Sequence, residues 1–546
     1  MRSKAWVFMP ALLAAVAVAV AQEPAPIAPP TFSERVEVRV LNLDVDVTDS
    51  AGNPVNDLKK EDFTVTIGKQ PAPIDYFTRV DQGAIHAPDL STANPDQVLE
   101  AYRKGDEAFV PRNLLIYVDL GFLSPGLRNR SLEALRDLVT RLGPQDAVRV
   151  VIFDRSEKVL TDWTTSKETA MAALSSIEKQ NVGMSRLNAQ RQTIAQIDSS
   201  RPRSRGSFVN QYASEVGQEI ETMLTGMRRE LLNLTPLHGQ RAFLFVSGGF
   251  EFQPGWVMSQ YASGTTVAAP SLQFTNFREV PERVAALGRA ANSDQVTFYT
   301  IDATGLTGEG VSAAGDDPLS NRTRVSFQAR QDRQNGMQQL AVDTGGLALL
   351  NTNDFTKGLG RVYQAVSSYY SLGLTLSKLE MKGYQPISVQ VNRPGVKVRS
   401  RKGYEARSEE QIVGSRAIAT LQIDLGYKAV PVSIRTAAAT PGAKSLYTLP
   451  ITVTVPASAL TFVPNGDQAT AQADLYIGSV DDKGRMSDIT HQQTSFKIPT
   501  DKTSTDAPLA YNATLQTKKG NYRVVVNVLD PASGKMGTAK TNVRVE

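Results

Sequence analysis

The chain contains no cysteine. That absence excludes disulfides, thiol catalysis, iron–sulfur clusters and zinc sites built on sulfur. Histidine is almost as scarce, with three in 546 residues. His86, His238 and His491 stand far apart along the chain, so the side chain best suited to proton transfer near neutral pH forms no evident cluster. Net charge is also small: the formal +4 falls to +2, 57 basic against 55 acidic residues, if Arg2 and Lys4 are removed with an N-terminal leader. So slight an excess does not mark a nucleic-acid or membrane surface. No Gly-x-Ser-x-Gly elbow, His-Glu-x-x-His pair or Gly-Lys-Ser/Thr phosphate loop occurs. Beyond the first 21 residues, no stretch approaches the roughly 18 unbroken apolar residues that a membrane helix requires.

What is present begins with an address. Met1-Arg2-Ser3-Lys4 precedes an apolar stretch from Ala5 to Val20, which closes on Ala19-Val20-Ala21. A basic start, a short hydrophobic core and an Ala-x-Ala exit form a secretory signal, predicting cleavage after Ala21 and a secreted or periplasmic product. A composition of 41% hydrophobic and 21% charged residues suits folded domains, and the length calls for about two to four of them.

Periodicity divides the remainder. Residues 22–31 form a Pro-rich tether. Alternation of Val36, Val38 and Val40, then Leu43, Val45 and Val47, and later Phe63, Val65 and Ile67, predicts an N-terminal β element over 32–80. A linker spans 81–110. Over 111–378 the pattern changes to apolar runs at 113–119, 147–153, 241–247, 296–302 and 347–350. These alternate with helical patterns such as Leu132, Leu135, Val139 and Leu142, or Val216, Ile220, Met223, Met227 and Leu231. Strands that are apolar on both faces, separated by amphipathic helices, predict an α/β fold with a doubly wound, mostly parallel sheet. A β-strand extension follows over 379–408. Short strands broken by Asn465-Gly466 and Lys519-Gly520 then predict an Ig-like β-sandwich over 409–546.

Three separated motifs resemble the bacterial VWFA-related acidobacterial domain family. The first is Val47-Thr48-Asp49-Ser50-Ala51-Gly52-Asn53-Pro54-Val55 with Leu58 and Glu61-Asp62-Phe63. The second pairs the run ending at Asp119 with Leu244-Phe245-Val246-Ser247-Gly248-Gly249. The third joins Tyr369-Tyr370-Ser371-Leu372-Gly373 to Arg401-Lys402-Gly403-Tyr404. The resemblance covers about residues 36–405 and implies an exported von Willebrand type A-like fold. In such folds Asp-x-Ser-x-Ser, a Thr and a second Asp hold a divalent cation. Here Asp119 is kept, Ser185 stands near the Thr position, and Gly121, Leu123 and Gly248 offer no side-chain ligand. The expectation is a degenerate metal site, with no cofactor required. A magnesium or manganese ion on Asp119 and Ser185 is the alternative.

Arg186, Arg191, Arg201, Arg203 and Arg205 crowd the segment 186–205, and a second insertion from Gln253 to Asn276 carries Trp256, Tyr261 and Phe274. Both are read as loops at the carboxyl end of the sheet. There Arg201, Arg203, Arg205, Trp256 and Tyr261 would meet a protein or envelope component. Gly308-Glu309-Gly310-Val311-Ser312-Ala313 formally fits a dinucleotide loop but lacks the helix that must follow it. The leading expectation is therefore a non-enzymatic interaction or adhesion protein. A metal-dependent adhesion domain and an envelope hydrolase are the alternatives. N-terminal sequencing of the protein recovered from periplasm or medium should begin at Gln22; an intact Met1 in the membrane fraction would overturn the reading of the leader.

Overall fold

A computed structural model describes residues 39–86, 109–180, 184–234, 237, 239–263, 279–306, 323–376, 383–406, 427, 429–442, 446–482, 487, 489–533 and 535–546. The leader, the tether and the Gly308 loop lie outside the described residues, as do most of the 81–110 linker and Phe274. In β1 (Arg39–Thr48) Leu41, Leu43, Val45 and Val47 are buried, while Asp44 and Asp46 take the opposite face. Strict alternation thus gives the strand one apolar side. Strands β2 (Phe63–Ile67), β3 (Gln70–Ala72), β4 (Tyr76–Asp81) and β5 (Ala84–His86) follow.

The central sheet comprises β6 (Arg112–Asp119), β7 (Ala147–Asp154), β8 (Ser156–Thr164), β9 (Gln240–Ser247), β10 (Thr297–Asp302) and β11 (Ala348–Leu349). Its spatial order is β11-β10-β9-β6-β7-β8, and every pair is parallel except β7 with β8. Periodicity misses β8 because that edge strand is polar and half exposed. All eight residues of β6 are buried. Leu115 and Tyr117 face a core that includes helices α3 (Ser185–Ser199), α4 (Arg205–Leu234), α5 (Trp256–Ser263), α6 (Glu279–Ser293) and α7 (Thr323–Thr344). Leu114, Ile116 and Val118 face a second core with α1 (Pro125–Thr140), α2 (Lys167–Glu178) and α8 (Phe355–Ser367). The result is a mixed α/β architecture around a mostly parallel sheet, with helices on both faces. Among the described residues no helix is long and apolar enough to cross a membrane.

Helix α4 is much longer than the strands it covers. Its 30 residues span roughly 45 Å, against about 26 Å for the eight of β9. Because its C-terminus leads into the start of β9, its first half projects past the carboxyl end of the sheet. There it packs with α3 and α5 through Ile194, Ile197, Val209, Tyr212, Val257 and Tyr261. The segment expected to be an Arg-rich loop is therefore largely helix. Leu187, Gln190, Ile194 and Ile197 form a buried stripe at helical spacing that the surrounding arginines conceal in the sequence.

After α8 the chain returns to its beginning. Strand β12 (Tyr369–Leu376) lies between β1 and β4, and β14 (Lys397–Ser400) pairs antiparallel with β1. Strand β13 (Gly383–Val391) lies between β2 and β15 (Gly403–Ala406). The strands within 39–86 and those within 369–376 and 383–406, distant in sequence, thus share two sheets and one core. Phe63, Phe77 and Tyr370 form its ring cluster, with centroids 5.1–5.7 Å apart. The Tyr370 hydroxyl accepts from Leu58 N at 3.0 Å and donates to Val55 O at 2.8 Å, so it is fixed to the Val55–Leu58 segment as both donor and acceptor.

The C-terminal residues form two antiparallel sheets. One contains β16 (Ser433–Thr436), β17 (Thr440–Pro441), β18 (Tyr447–Pro456) and β22 (Pro508–Thr517). The other contains β19 (Val463–Asn465), β20 (Gln468–Asp481), β21 (Thr490–Pro499), β23 (Gly520–Asp530) and β24 (Lys535–Val545). Leu449, Ile451 and Val453 from one sheet share a core with Leu475, Ile477, Val524 and Val526 from the other.

Truncating Phe63 should test the join between the chain's early and late strands. Phe63→Ala removes a buried ring from that core and should cost about 3–5 kcal/mol in urea unfolding of a two-state unit. A change within about half a kcal/mol would show that the ring cluster does not hold the two segments together.

Candidate functional site

Asp119 ends β6 with its side chain completely buried. An ionised carboxylate taken from water needs a charge partner and further hydrogen bonds. Three elements supply them. The Arg186 guanidinium, from the first turn of α3, pairs with Oδ1, as does Gly121 N at 3.1 Å. The Ser247 hydroxyl at the end of β9 donates to Oδ2 at 2.6 Å. Arg186 is itself 0% exposed, and its Nε lies 3.4 Å from Glu219 Oε1 on α4. Leu187 N donates to Gly121 O at 3.3 Å, seating the start of α3 on the loop after β6.

The glycine at position 121 has a spatial cause. A Cβ there would collide with the Arg186 guanidinium, so no larger residue fits while the arginine is in place. Phe122 closes the site from another side, with the guanidinium carbons of Arg186 and Arg333 at 5.3 and 5.0 Å from its ring centroid. Gly249 takes φ +86° where its backbone passes α7 at Arg333, a close approach in a conformation that favours glycine.

Ser185 and Asp119 lie in the same neighbourhood but are not joined to each other by a hydrogen bond. The Ser185 hydroxyl donates to Glu219 Oε1 at 2.7 Å. Burial raises the Glu219 pKa, while Arg186 and the serine oppose the shift. Among the described residues no group of three or more His, Asp or Glu side chains is arranged to hold a metal. Ser247, Arg186 and Glu219 are the members that sequence reasoning missed. The available signal was a hydroxyl closing an apolar strand, followed by two glycines.

A second buried cluster adjoins it. Glu251 accepts from the Tyr212 hydroxyl and from Gly255 N at 2.8 Å, and burial pushes its pKa up. Asp332 accepts from Gln253 N at 3.3 Å. Burial, reinforced by the neighbouring Glu251 charge, pushes its pKa from 3.8 to about 7.

The expected partner-binding residues divide. Arg201 and Arg203 are exposed in a short turn between α3 and α4, and neither forms an ion pair among the described residues. Arg205 is half-buried and donates to Ala262 O at 3.2 Å. Trp256 packs half-buried against the core. Tyr261 is 8% exposed and donates to Asp198 at 2.9 Å. Trp256 and Tyr261 lie within α5, where apolar spacing turns them inward instead of presenting them on a loop.

Elsewhere, His86 ends β5, while His491 stacks on Tyr476 at 4.4 Å and lies 3.4 Å from Asp474; His238 lies outside the described residues. At the opposite end of the sheet a polar cavity is lined by Asn42, Asp44, Gln240, Tyr299, Tyr369 and Arg401. Asp44 opens onto this cavity although protein surrounds it, and it accepts from Gln240 Nε2 at 2.8 Å. Burial lowers the Arg401 pKa to about 10.

No protein-family model and no curated protein matches the sequence. Among solved structures, an aerotolerance-related membrane protein from Bacteroides fragilis is 13% identical, with a TM-score of 0.25, over 47% of this chain and 98% of that one. The conserved hypothetical protein BatB from Bacteroides thetaiotaomicron gives the same identity, score and coverage. Proximal thread matrix protein 1 from the mussel byssus, determined with a zinc-occupied MIDAS motif, is 10% identical with a TM-score of 0.23, over 48% of this chain and 47% of that one. All three likenesses are distant.

The shifted carboxyl has a consequence for stability. Folded, Asp332 keeps its proton up to about pH 7, whereas unfolded it loses it near 3.8, so its contribution is most favourable below the unfolded value and is lost as pH rises through the folded one. Asp332→Asn should therefore stabilise the protein at pH 8, by an amount on the order of 1–3 kcal/mol, with the gain fading towards pH 4. Thermal melts across that range check this; a difference independent of pH would refute the assignment.

Proposed function

We propose that this is an exported, non-enzymatic interaction protein built around a von Willebrand type A-like domain with a doubly wound sheet and a degenerate metal site. In this reading the leader and the tether precede a β module formed by 32–80 with 379–408. The α/β domain of 111–378 carries the binding face, and the C-terminal residues 409–546 form an Ig-like sandwich. The partner is a protein or envelope component with acidic character. Nucleic acid is not expected, because the chain carries little net positive charge.

The observation that carries this reading is the projection of α3, α5 and the first half of α4 beyond the sheet, with Arg201 and Arg203 exposed at its turn. A helical projection tipped by exposed cations suits electrostatic recognition of an acidic surface. Support for a non-catalytic role comes from the polar groups nearby. Asp119 is buried with Arg186 and Ser247 on its two oxygens, and Glu251 is buried with the Tyr212 hydroxyl on it, so both carboxylates are occupied by groups of the fold itself.

The test begins with capture of partners from envelope extract on immobilised protein, followed by titration of an identified partner. Arg201→Ser with Arg203→Ser should weaken binding roughly tenfold at low salt, and the loss should shrink at high salt as charges are screened. The melting temperature should be unchanged, since both side chains are exposed. Equal affinities at low salt would remove the arginine turn from the binding face.

A further inference from the structure

We infer that the Arg186 guanidinium is the resident cation of this domain, standing where a divalent ion would otherwise hold the carboxyl-end loops together. The inference rests on the proposed type A-like reading for where an ion would stand, and on the geometry for what stands there instead. Both oxygens of Asp119 are engaged, Oδ1 by Arg186 and Gly121 N, and Oδ2 by Ser247. Ser185 is turned towards Glu219, which in turn lies against Arg186 Nε. A metal ion does not fit this set while the arginine remains, because the guanidinium fills the space between Asp119 and Glu219. It also fills the space that any side chain at position 121 would need.

The exchange makes chemical sense in charge and in shape. Two carboxylates and two hydroxyls, from Asp119, Glu219, Ser185 and Ser247, are the hard oxygen donors that magnesium or manganese prefers. A planar guanidinium can serve the same carboxylates through directed N–H bonds, and it is always charged. It differs in being covalently part of α3. The join between α3, the loop after β6 and the end of β9 is therefore made on folding, and chelators or ion supply cannot alter it. Removing the arginine would leave the buried Asp119 carboxylate and the partly buried Glu219 carboxylate facing each other across a vacated space. That arrangement repels unless a cation enters.

The experiment uses the full mature chain, with manganese as the probe. Wild type should bind no manganese at this site, read by the paramagnetic signal of the bound ion, and should melt at the same temperature in EDTA or in millimolar magnesium or manganese. Arg186→Ser should melt lower in EDTA. It should recover by roughly 5–10 °C at manganese concentrations near a hundred times Kd. Arg186→Ser combined with Asp119→Asn should lose that recovery. Stoichiometric manganese binding by wild type that Asp119→Asn abolishes would overturn the inference. So would a folded Arg186→Ser protein indifferent to the ion. If Arg186→Ser does not fold, the wild-type measurement with its Asp119→Asn control still decides. None of these results depends on Arg201, Arg203 or any partner, so failure here and failure of the binding reading are separable.

Discussion

The carboxyl end of the central sheet is organised by one buried ion pair. Asp119 and Arg186 are both removed from solvent, and between them they touch the loop after β6, the first turn of α3, α4 through Glu219 and the end of β9 through Ser247. Breaking such a pair from one side strands a charge in the interior, which typically costs about 3–5 kcal/mol, although the intact pair contributes far less than that. Its value is in specification. Only one placement of α3 lets Arg186 reach Asp119, and that placement also excludes a side chain at position 121 and seats the ring of Phe122. The helical projection that carries Arg201 and Arg203 inherits its position from this contact.

At the other end of the sheet the constraint is topological. Strand β1 has β12 and β14 as its neighbours, so the first described strand cannot complete its sheet until the whole α/β domain has been made. Loop-closure entropy over separations of 349–355 residues between paired positions of β1 and β14 must be offset by the shared apolar core and by fixed points such as the Tyr370 hydroxyl. The N-terminal β element and the strands that follow α8 therefore act as a clasp across the domain. Arg401 continues that clasp into the α/β layer, donating to Asn292 O at 3.1 Å.

Much of this architecture is legible in the amino-acid order, and the exceptions have identifiable causes. Runs that are apolar on both faces, such as Leu114 to Val118, announce buried parallel strands because no other context hides both sides of a strand. Strand β8 escapes detection because an antiparallel edge needs little burial. Helix α3 escapes because its stripe of Leu187, Ile194 and Ile197 is interrupted by Arg186, Gln190 and Thr193, polar side chains that are nonetheless buried. Asp119 stands out as the acid that ends an apolar strand, yet its partner cannot be recognised from the sequence. A buried arginine and a solvated one look alike until tertiary contacts separate them, and Arg186 and Arg201 lie only 15 positions apart within one basic segment. Trp256 and Tyr261 show the converse error, since aromatics beside arginines suggest a contact surface, whereas helical spacing turns these two into the core.

The separation between Arg186 and Arg201 also bears on how such a domain can work. A divalent ion at a strand end can bind a partner's carboxylate directly, because it keeps an open coordination position. A fully buried guanidinium keeps none. If recognition nevertheless occurs at this end of the sheet, it must use groups outside the ion pair, and the helical projection supplies them at a distance that the overhang of α4 sets. The charge that holds the loops and the charge that meets a partner then belong to different side chains. One is protected from salt by burial, and the other is exposed to it. On the proposed reading, such a domain would keep its carboxyl-end structure as ionic strength changes while its affinity varied, a division of labour that a single exposed metal ion cannot provide.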